Sequence, residues 1–459
     1  MDNDTIAAIS TPQGNGGIGI IRISGEKAFE IASKIFSGRK DFERMESHTL
    51  SYGKIINPVT GEAVDEVLIA KMKKPRTYTR EDIVEINCHG GIVVIKRILE
   101  LVVKEGARLA EPGEFTKIAF LNGRIDLSQA EAVIDLINSK TEQGSKAALG
   151  QLEGKLSEKL KKTREKLIEL IAHIEVTVDY PEHDIEELTG KQVYEKLKVI
   201  KAELEAIIKN FEKGRILREG VDVVIVGKPN VGKSSLLNEL SGKNKAIVTD
   251  IPGTTRDIIE EYVNIGEIPV RLVDTAGIRD TEDIVEKIGV ERARSAVGSA
   301  DLVIMMLDAH NGITDEDIGI YNAVRGKKLI VLINKIDTEN ENNTVKEIEK
   351  RFEGHKIIKA SVTKNIGMEQ LENEIIGYFN KGEIGLNDEI LVTNIRHKNL
   401  IDNAVKSVDA ALISYEEAMP VDCITIDIKD AAYYLGQITG ESVADDVLKQ
   451  IFSRFCIGK

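Results

Sequence analysis

The most constraining stretch of the chain is Val221 to Ser235, VDVVIVGKPNVGKSS. Apart from Asp222, the run Val221 to Val226 is apolar and mostly β-branched, the pattern of a strand buried in a parallel sheet. It breaks into Gly227-Lys228-Pro229-Asn230-Val231-Gly232-Lys233-Ser234, which meets G-x-x-x-x-G-K-[ST] at every fixed position. Gly227 and Gly232 let the backbone curl so that N–H groups from Asn230 to Ser235 face phosphate oxygens. Lys233 supplies a point charge for the β- and γ-phosphates, and Ser234 a hydroxyl for Mg²⁺. The following LLNEL reads as a helix whose N-terminal dipole adds to the anion site. A Gly-rich turn matching by chance is the competing reading. The flanking strand and helix, and the strings that follow, weigh against it.

Those strings come in order. Asp274-Thr275-Ala276-Gly277 ends a second apolar run, Val270 to Val273. A carboxylate at a strand end can hold Mg²⁺ through water, and Gly277 can offer its N–H to a γ-phosphate. Asn334-Lys335-Ile336-Asp337 follows a third strand, Leu329 to Ile333. A carboxylate there can accept both protons from N1 and N2 of a guanine, a donor pair that adenine lacks. Ser361, after the strand Lys356 to Lys359, is a closing contact to the base. Together these strings predict a GTPase domain of the Ras-like class.

At 459 residues the chain has room for about three domains. A formal net charge of -14 argues against a surface that grips DNA or RNA by bulk electrostatics. Cys88, Cys423 and Cys456 are far apart and form no C-x-x-C, which favours a reducing cytoplasm over a disulfide scaffold or zinc site. No apolar run reaches the roughly 18 residues of a membrane span, and MDNDTIAAIS lacks a signal-peptide pattern.

Residues 1–118 read as an α/β domain, with strands at Thr5 to Ala8, Gly17 to Ile23 and Ile83 to Ile86. Helical spacing runs over Glu26 to Phe36 and Gly91 to Lys104. The glycines at 14–19 lie between two strands, not at a strand-to-helix turn, so they are no dinucleotide fingerprint. His89, before two glycines, reads as a hydrogen-bonded loop histidine, since nothing nearby completes a metal or nucleophile set.

Residues 119–218 turn helical. Leu149, Leu152, Leu156 and Leu160, then Leu167, Ile171 and Ile174, then Leu197, Ile200, Leu204, Ile207 and Phe211, step by three and four. These stripes are core. Pro181 to Gly190 links two long helices, and Gly214 to Gly220 hands over to the strand at Val221. The nucleotide domain spans 219–380. Residues 381–459 are helical again, over Leu400 to Tyr415, Ala431 to Thr439 and Ser442 to Ser453. One helical domain interrupted by an inserted G domain accounts for the pattern.

End to end, the chain resembles the bacterial tRNA-modification GTPase family called MnmE or TrmE. The resemblance rests on DNDTIAAISTPQGNGGIGIIRISG, PGEFTKIAFLNGRIDLSQAEAVIDLI, TDIPGTTRD and the terminal IFSRFCIGK. It implies an N-terminal folate-binding domain that dimerises, a discontinuous helical domain and an inserted G domain. It also implies a homodimer, a flavoprotein partner (MnmG), tRNA as substrate and a 5-formyl-tetrahydrofolate-type carrier. The modified atom would be C5 of the wobble uridine.

By the same resemblance, Asn230 helps hold K⁺ beside the phosphates. Thr249-Asp250-Ile251-Pro252-Gly253-Thr254-Thr255 closes over that ion, with Thr249, Ile251 and Thr254 in its shell and Thr255 on Mg²⁺. Pro252 stands where the family often has Ala, which stiffens the loop. Ras-type enzymes orient the attacking water with a Gln after the DTAG string. Here Ile278 stands there, and Glu286 matches the family's water-positioning glutamate. A cation at Asn230 supplies the positive charge an arginine finger would give; Arg256 and Arg279 are alternative donors. Arg22, Glu85, Arg124 and Lys459 match the folate-contacting positions, the family commonly having Lys where Arg124 stands. Cys456 lies in the tail beside the one-carbon site, its role open; FCIGK fits a prenylation box poorly. A function of different class, a GTP-dependent binding switch such as a ribosome-assembly GTPase, stands as the alternative.

Overall fold

The computed structural model describes residues 4–459 apart from 13, 15, 40, 180–189, 245–259, 275–296, 338–341 and 380–390. The chain divides into two compact units. One comprises Met1–Ile134, Gln151–Tyr194 and Lys406–Lys459; the other comprises Asp135–Gly150 and Glu195–Val405.

The first unit is built on a seven-stranded sheet of β1 (Ile6–Ile9), β2 (Ile18–Ser24), β3 (Phe36–Gly38), β4 (Thr49–Ile56), β5 (Ala63–Met72), β6 (Ile83–His89) and β7 (Arg108–Leu109), ordered 3-4-5-6-2-1-7. Helices α1 (Ala28–Ile35) and α2 (Ile92–Lys104) turn apolar stripes onto it. Ile31 and Ile35 from one, and Ile98 and Val102 from the other, join the core with Ile21, Ile23 and Ile86. Sequence periodicity missed β3, β4 and β5. Strand β3 is only three residues, FSG, and the charged or half-exposed residues of β4 and β5, as in AVDEVLIAKM, blur the two-residue alternation that marks a strand. Helix α3 (Glu114–Leu121) buries Phe115 against Ile6 and Ala8.

Helix α4 (Leu127–Asn138) leads into α5 (Glu142–Leu152) and α6 (Lys155–Asp179). The leucine stripe read as continuous over 149–160 is interrupted. Glu153 and Gly154 form a turn, Gly154 has φ +88°, and Leu149 is exposed, so helix α6 takes up the core pattern from Leu156. The stretch Gly214 to Gly220, read as a handover, is mostly helical. Helix α7 (Gly190–Ile208) gives way at Lys209 and Asn210 to α8 (Phe211–Glu219), which runs up to the next strand.

The second unit carries a six-stranded sheet. Its strands are β8 (Val221–Val226), β9 (Glu260–Ile265), β10 (Ile268–Asp274), β11 (Leu302–Asp308), β12 (Leu329–Asn334) and β13 (Lys356–Lys359), ordered 13-12-11-8-10-9. All neighbours pair in parallel except β9, which returns antiparallel on β10. Both faces are covered, as a parallel sheet requires. Helix α9 (Lys233–Asn244) and α12 (Met368–Phe379) pack on one side, through Leu236, Leu240, Leu371 and Ile375. On the other, Val324 of α10 (Asp315–Val324) and Ile348 of α11 (Asn342–Arg351) pack against Val303, Met305 and Val331. Strand order reverses at β8, whose carboxyl end is the crevice where open α/β sheets bind ligands.

Among the described residues the C-terminal helices are α13 (Ile395–Glu416), α14 (Val421–Thr439) and α15 (Asp445–Phe452). Within the first unit α14 lies along α6. Arg164 Nε donates to the Ala432 carbonyl at 3.2 Å, and Lys429 pairs with Glu175 at 2.7 Å. Among the described residues no helix is long and apolar enough to cross a membrane.

Candidate functional site

The loop after β8 has the backbone an anion cradle needs. Gly227, Asn230 and Gly232 hold φ of +151°, +62° and +105°. A Cβ on Gly232 would lie 2.4 Å from Asn334 Nδ2, and one on Gly227 2.6 Å from the Met306 carbonyl, so both positions require glycine. Lys233, buried at the first turn of α9, donates from Nζ to the carbonyls of Gly227 (2.7 Å) and Lys228 (2.8 Å). The ammonium thus lies across the loop, on oxygens it can exchange for those of a phosphate. Ser234 and Ser235 are exposed at the same helix start, where a hydroxyl can reach a cation. These residues fit a Mg-nucleotide.

The end of β12, two strands from β8, reaches the same loop. Asn334, the last residue of β12, is buried and joins two loops: Nδ2 donates to the Val231 carbonyl at 2.8 Å, and Oδ1 accepts from Val362 N–H at 3.1 Å. Lys335, at φ +64°, donates to the Asn230 carbonyl (2.9 Å) and to Asp308 Oδ2 (2.7 Å). Asp337 is exposed and 3.3 Å from Lys364 Nζ. The Ser361 hydroxyl, ahead of Lys364, holds its carboxyl below the usual aspartate value, which keeps it an acceptor at neutral pH. Ser361 itself is buried and bridges Ile366 through both backbone groups.

Asp308 was missed by sequence reasoning. Burial alone would raise its carboxyl, but the Lys335 ammonium and the His310 N–H outweigh burial and hold it low. Its signal was present, since it ends an apolar strand as Asp274 does. Asp274 is the last residue of β10, and its backbone registers with Ile225 of β8. Thr249 to Thr255, Thr275 to Gly277 and Glu286 lie outside the described residues, as do Arg256, Ile278 and Arg279.

A second cluster sits in the first unit. Register places Arg22 of β2 opposite Glu85 of β6, and the guanidinium meets Glu85 Oε1 through Nε and an Nη atom at 2.8 Å each. Another Nη donates to the Gly458 carbonyl at 3.3 Å, and Ser10 Oγ donates to the same oxygen at 3.1 Å. Arg124 lies over the Tyr78 ring at 4.6 Å and donates to the Tyr78 carbonyl at 3.0 Å. Arg22 lies 5.8 Å from the same ring and 5.7 Å from that of Phe115. Arg22, Glu85, Arg124 and the Gly458–Lys459 tail therefore converge. Tyr78 and Phe115 join them without any motif to announce them. Cys456 is exposed, and its carbonyl accepts from Gly113 N–H at 3.4 Å.

A mostly parallel sheet with a G-x-x-x-x-G-K-S loop at its switch point, and an Asn-Lys-x-Asp carboxylate two strands away, has the features of a P-loop GTPase. Comparison with known proteins narrows the class. A family described as the MnmE helical domain matches residues 127–456, and the GTP-binding protein TrmE N-terminus matches residues 5–124. The tRNA modification GTPase MnmE of Acetivibrio thermocellus is 67% identical over 456 residues, covering 99% of both chains. That of Alkaliphilus oremlandii is 52% identical over 459 residues, covering 100% of this chain and 99% of the other. Among solved structures, Aquifex aeolicus Era bound to GDP and aluminium fluoride is 33% identical over 41% of this chain and 66% of that one, with a TM-score of 0.30. The chain belongs to the MnmE family of tRNA modification GTPases.

Proposed function

We propose that the chain hydrolyses GTP to drive modification of C5 of the wobble uridine in certain tRNAs. It would work in the cytoplasm as a homodimer with the flavoprotein MnmG. The proposed division is a folate-binding domain at 1–118, helical segments at 119–218 and 381–459, and a G domain at 219–380. The observation that carries the reading is the convergence of Lys233, Asn334 and Asp337 on the carboxyl end of one parallel sheet.

In this reading Lys233 leaves the Gly227 and Lys228 carbonyls for the β- and γ-phosphates. The amides of Asn230 to Ser235 bind the phosphate oxygens, and Asp337 takes the N1 and N2 protons of guanine, with Ser361 behind it. Asp274 would offer its carboxylate to Mg²⁺ through water, and Gly277 its N–H to the γ-phosphate. Ser234 and Thr255 would hold Mg²⁺. Asn230, Thr249, Ile251 and Thr254 would hold K⁺, which supplies positive charge where the leaving phosphate gains negative charge. Glu286 aims the attacking water, a task Ile278 has no polar atom to perform.

In the other unit, Arg22, Arg124 and Lys459 offer cations and Glu85 an acceptor. This donor set suits a folate carrier with an acidic tail and a guanine-like ring. The pairing of Arg22 with Glu85 means that such a carrier would share or displace that contact.

The test is analysis of tRNA nucleosides from a deletion strain, beside GTP turnover by the purified protein in K⁺ and in Na⁺. Loss of the wobble modification and faster turnover in K⁺ are expected. Glu286→Ala should keep nucleotide affinity and lose most turnover. Unchanged wobble uridines would replace this reading with that of a binding switch, and equal rates in both salts would remove the cation.

A further inference from the structure

Lys228 occupies a position that the phosphate-loop pattern leaves open, yet it is one of the most firmly held residues of the loop. Its ammonium lies 2.7 Å from Asp317 Oδ2 and donates to Thr314 Oγ1 at 2.9 Å. Asp317 belongs to the first turn of α10 and has 0% exposure. The same Oδ2 accepts from Thr314 N–H at 2.9 Å and from Thr314 Oγ1 at 2.8 Å. Asp317 Oδ1 is buried with no hydrogen-bond partner among the described residues. The main chain of Lys228 faces the site, its carbonyl receiving Lys233 Nζ at 2.8 Å. One residue therefore ties the entry of the loop to a helix behind it and presents an oxygen that holds the phosphate-binding lysine.

The contacts between Asp317 and Thr314 form the capping box that starts α10, but stability does not account for the added ion pair to Lys228. A buried ion pair is often matched or bettered by apolar residues of similar volume, and the orphaned Oδ1 adds a desolvation cost. What the pair does supply is position. The loop must hold its carbonyls and amides in a conformation that includes left-handed turns at Asn230 and Gly232, and phosphate affinity depends on that conformation existing before the ligand arrives.

We propose that Asp317 is a positioning residue for nucleotide binding, acting through Lys228 to preorganise the phosphate loop. The inference rests on the GTPase reading above. It differs from a role for Lys228 as a direct phosphate cation, which would make Asp317 a competitor for that cation.

The experiment is a double-mutant cycle on the full chain, with fluorescent GDP and a non-hydrolysable fluorescent GTP as probes and thermal unfolding of every variant. Lys228→Ala and Asp317→Asn should each weaken binding about tenfold, and the double variant should be no weaker than either single one. The loss should fall on KM, with kcat moving less than about threefold. Lys228→Arg, which keeps a cation within reach of Oδ2, should restore most of the affinity.

Should Asp317→Asn fail to fold, the apolar pair Lys228→Met with Asp317→Leu fills the site without the tether. Weak binding by a pair that still unfolds cooperatively, its midpoint lowered by the lost helix cap, supports the proposal, and tight binding by that pair overturns it. It is also overturned if Asp317→Asn binds as well as or better than wild type while Lys228→Ala binds weakly with a steep salt dependence. Wild-type protein that binds no guanine nucleotide would instead remove the underlying GTPase reading, an outcome visible before any variant is made.

Discussion

Replacing Asn334 by Ala should separate two loops that this one side chain joins. Both polar atoms of Asn334 are used, at 2.8 Å on the Val231 carbonyl and 3.1 Å from the Val362 N–H. Val231 is 2% and Val362 4% exposed, so the groups left behind are shielded from solvent. An orphaned buried group costs about 1–3 kcal/mol. Taking about 1–1.5 kcal/mol for each, since the vacated amide leaves room for water, the total is about 2–3 kcal/mol. For a domain of this size that lowers the melting temperature by roughly 4–12 °C. Thermal unfolding measures the sum, and hydrogen exchange at the Val362 amide measures the local part, which should lose protection by about one to two orders of magnitude. Asn334→Asp is the informative companion. It keeps an oxygen for the Val362 N–H but sets a second oxygen against the Val231 carbonyl, so it should be no more stable than Asn334→Ala at neutral pH. A midpoint within about 2 °C of wild type for Asn334→Ala, with an unchanged Val362 amide, would show that the side chain does not join the loops.

Asp337→Asn exchanges an acceptor for a group with one donor and one acceptor. GTP affinity should fall by at least about a hundredfold while xanthosine triphosphate gains; competition binding decides it, and unchanged selectivity would remove Asp337 from the base site. Asp308 is held below its ordinary value despite burial. Its contribution should be complete above the unfolded value of about 4 and fade as the pH falls through the lower folded value. Asp308→Asn should therefore flatten the acid limb of the stability profile, as read from unfolding midpoints between about pH 3 and 6. Burial pushes the Cys88 thiol up to about 11, whereas Cys456 is exposed. A thiol reagent at about pH 8 should label Cys456 and spare Cys88 in the folded protein, with peptide mapping as the measurement.

Much of the candidate nucleotide site was legible because the chemistry it would perform is local. A strand, a glycine curl and a helix start lie within one stretch of chain, so Gly227, Gly232, Lys233 and Ser234 could be assigned roles before any fold was known. The same holds for Asn334 and Asp337 at the end of a plainly apolar strand. Legibility failed where the signal was diluted or distant. Strands β4 and β5 carry charges on half-exposed faces, and Gly154 breaks a leucine stripe whose spacing alone reads as continuous.

Residue order by itself determined the class of site, since a backbone curl and its lysine need only a few consecutive positions. Tertiary structure alone decided the partnerships. Asn334 meets Val231 across 103 residues, Lys228 meets Thr314 across 86, and Arg22 meets the Gly458 carbonyl across 436. The physical reason is that such contacts depend on strand register and on which helix covers which face. Both are settled by the packing of the whole core and leave no mark in the spacing of neighbouring residues.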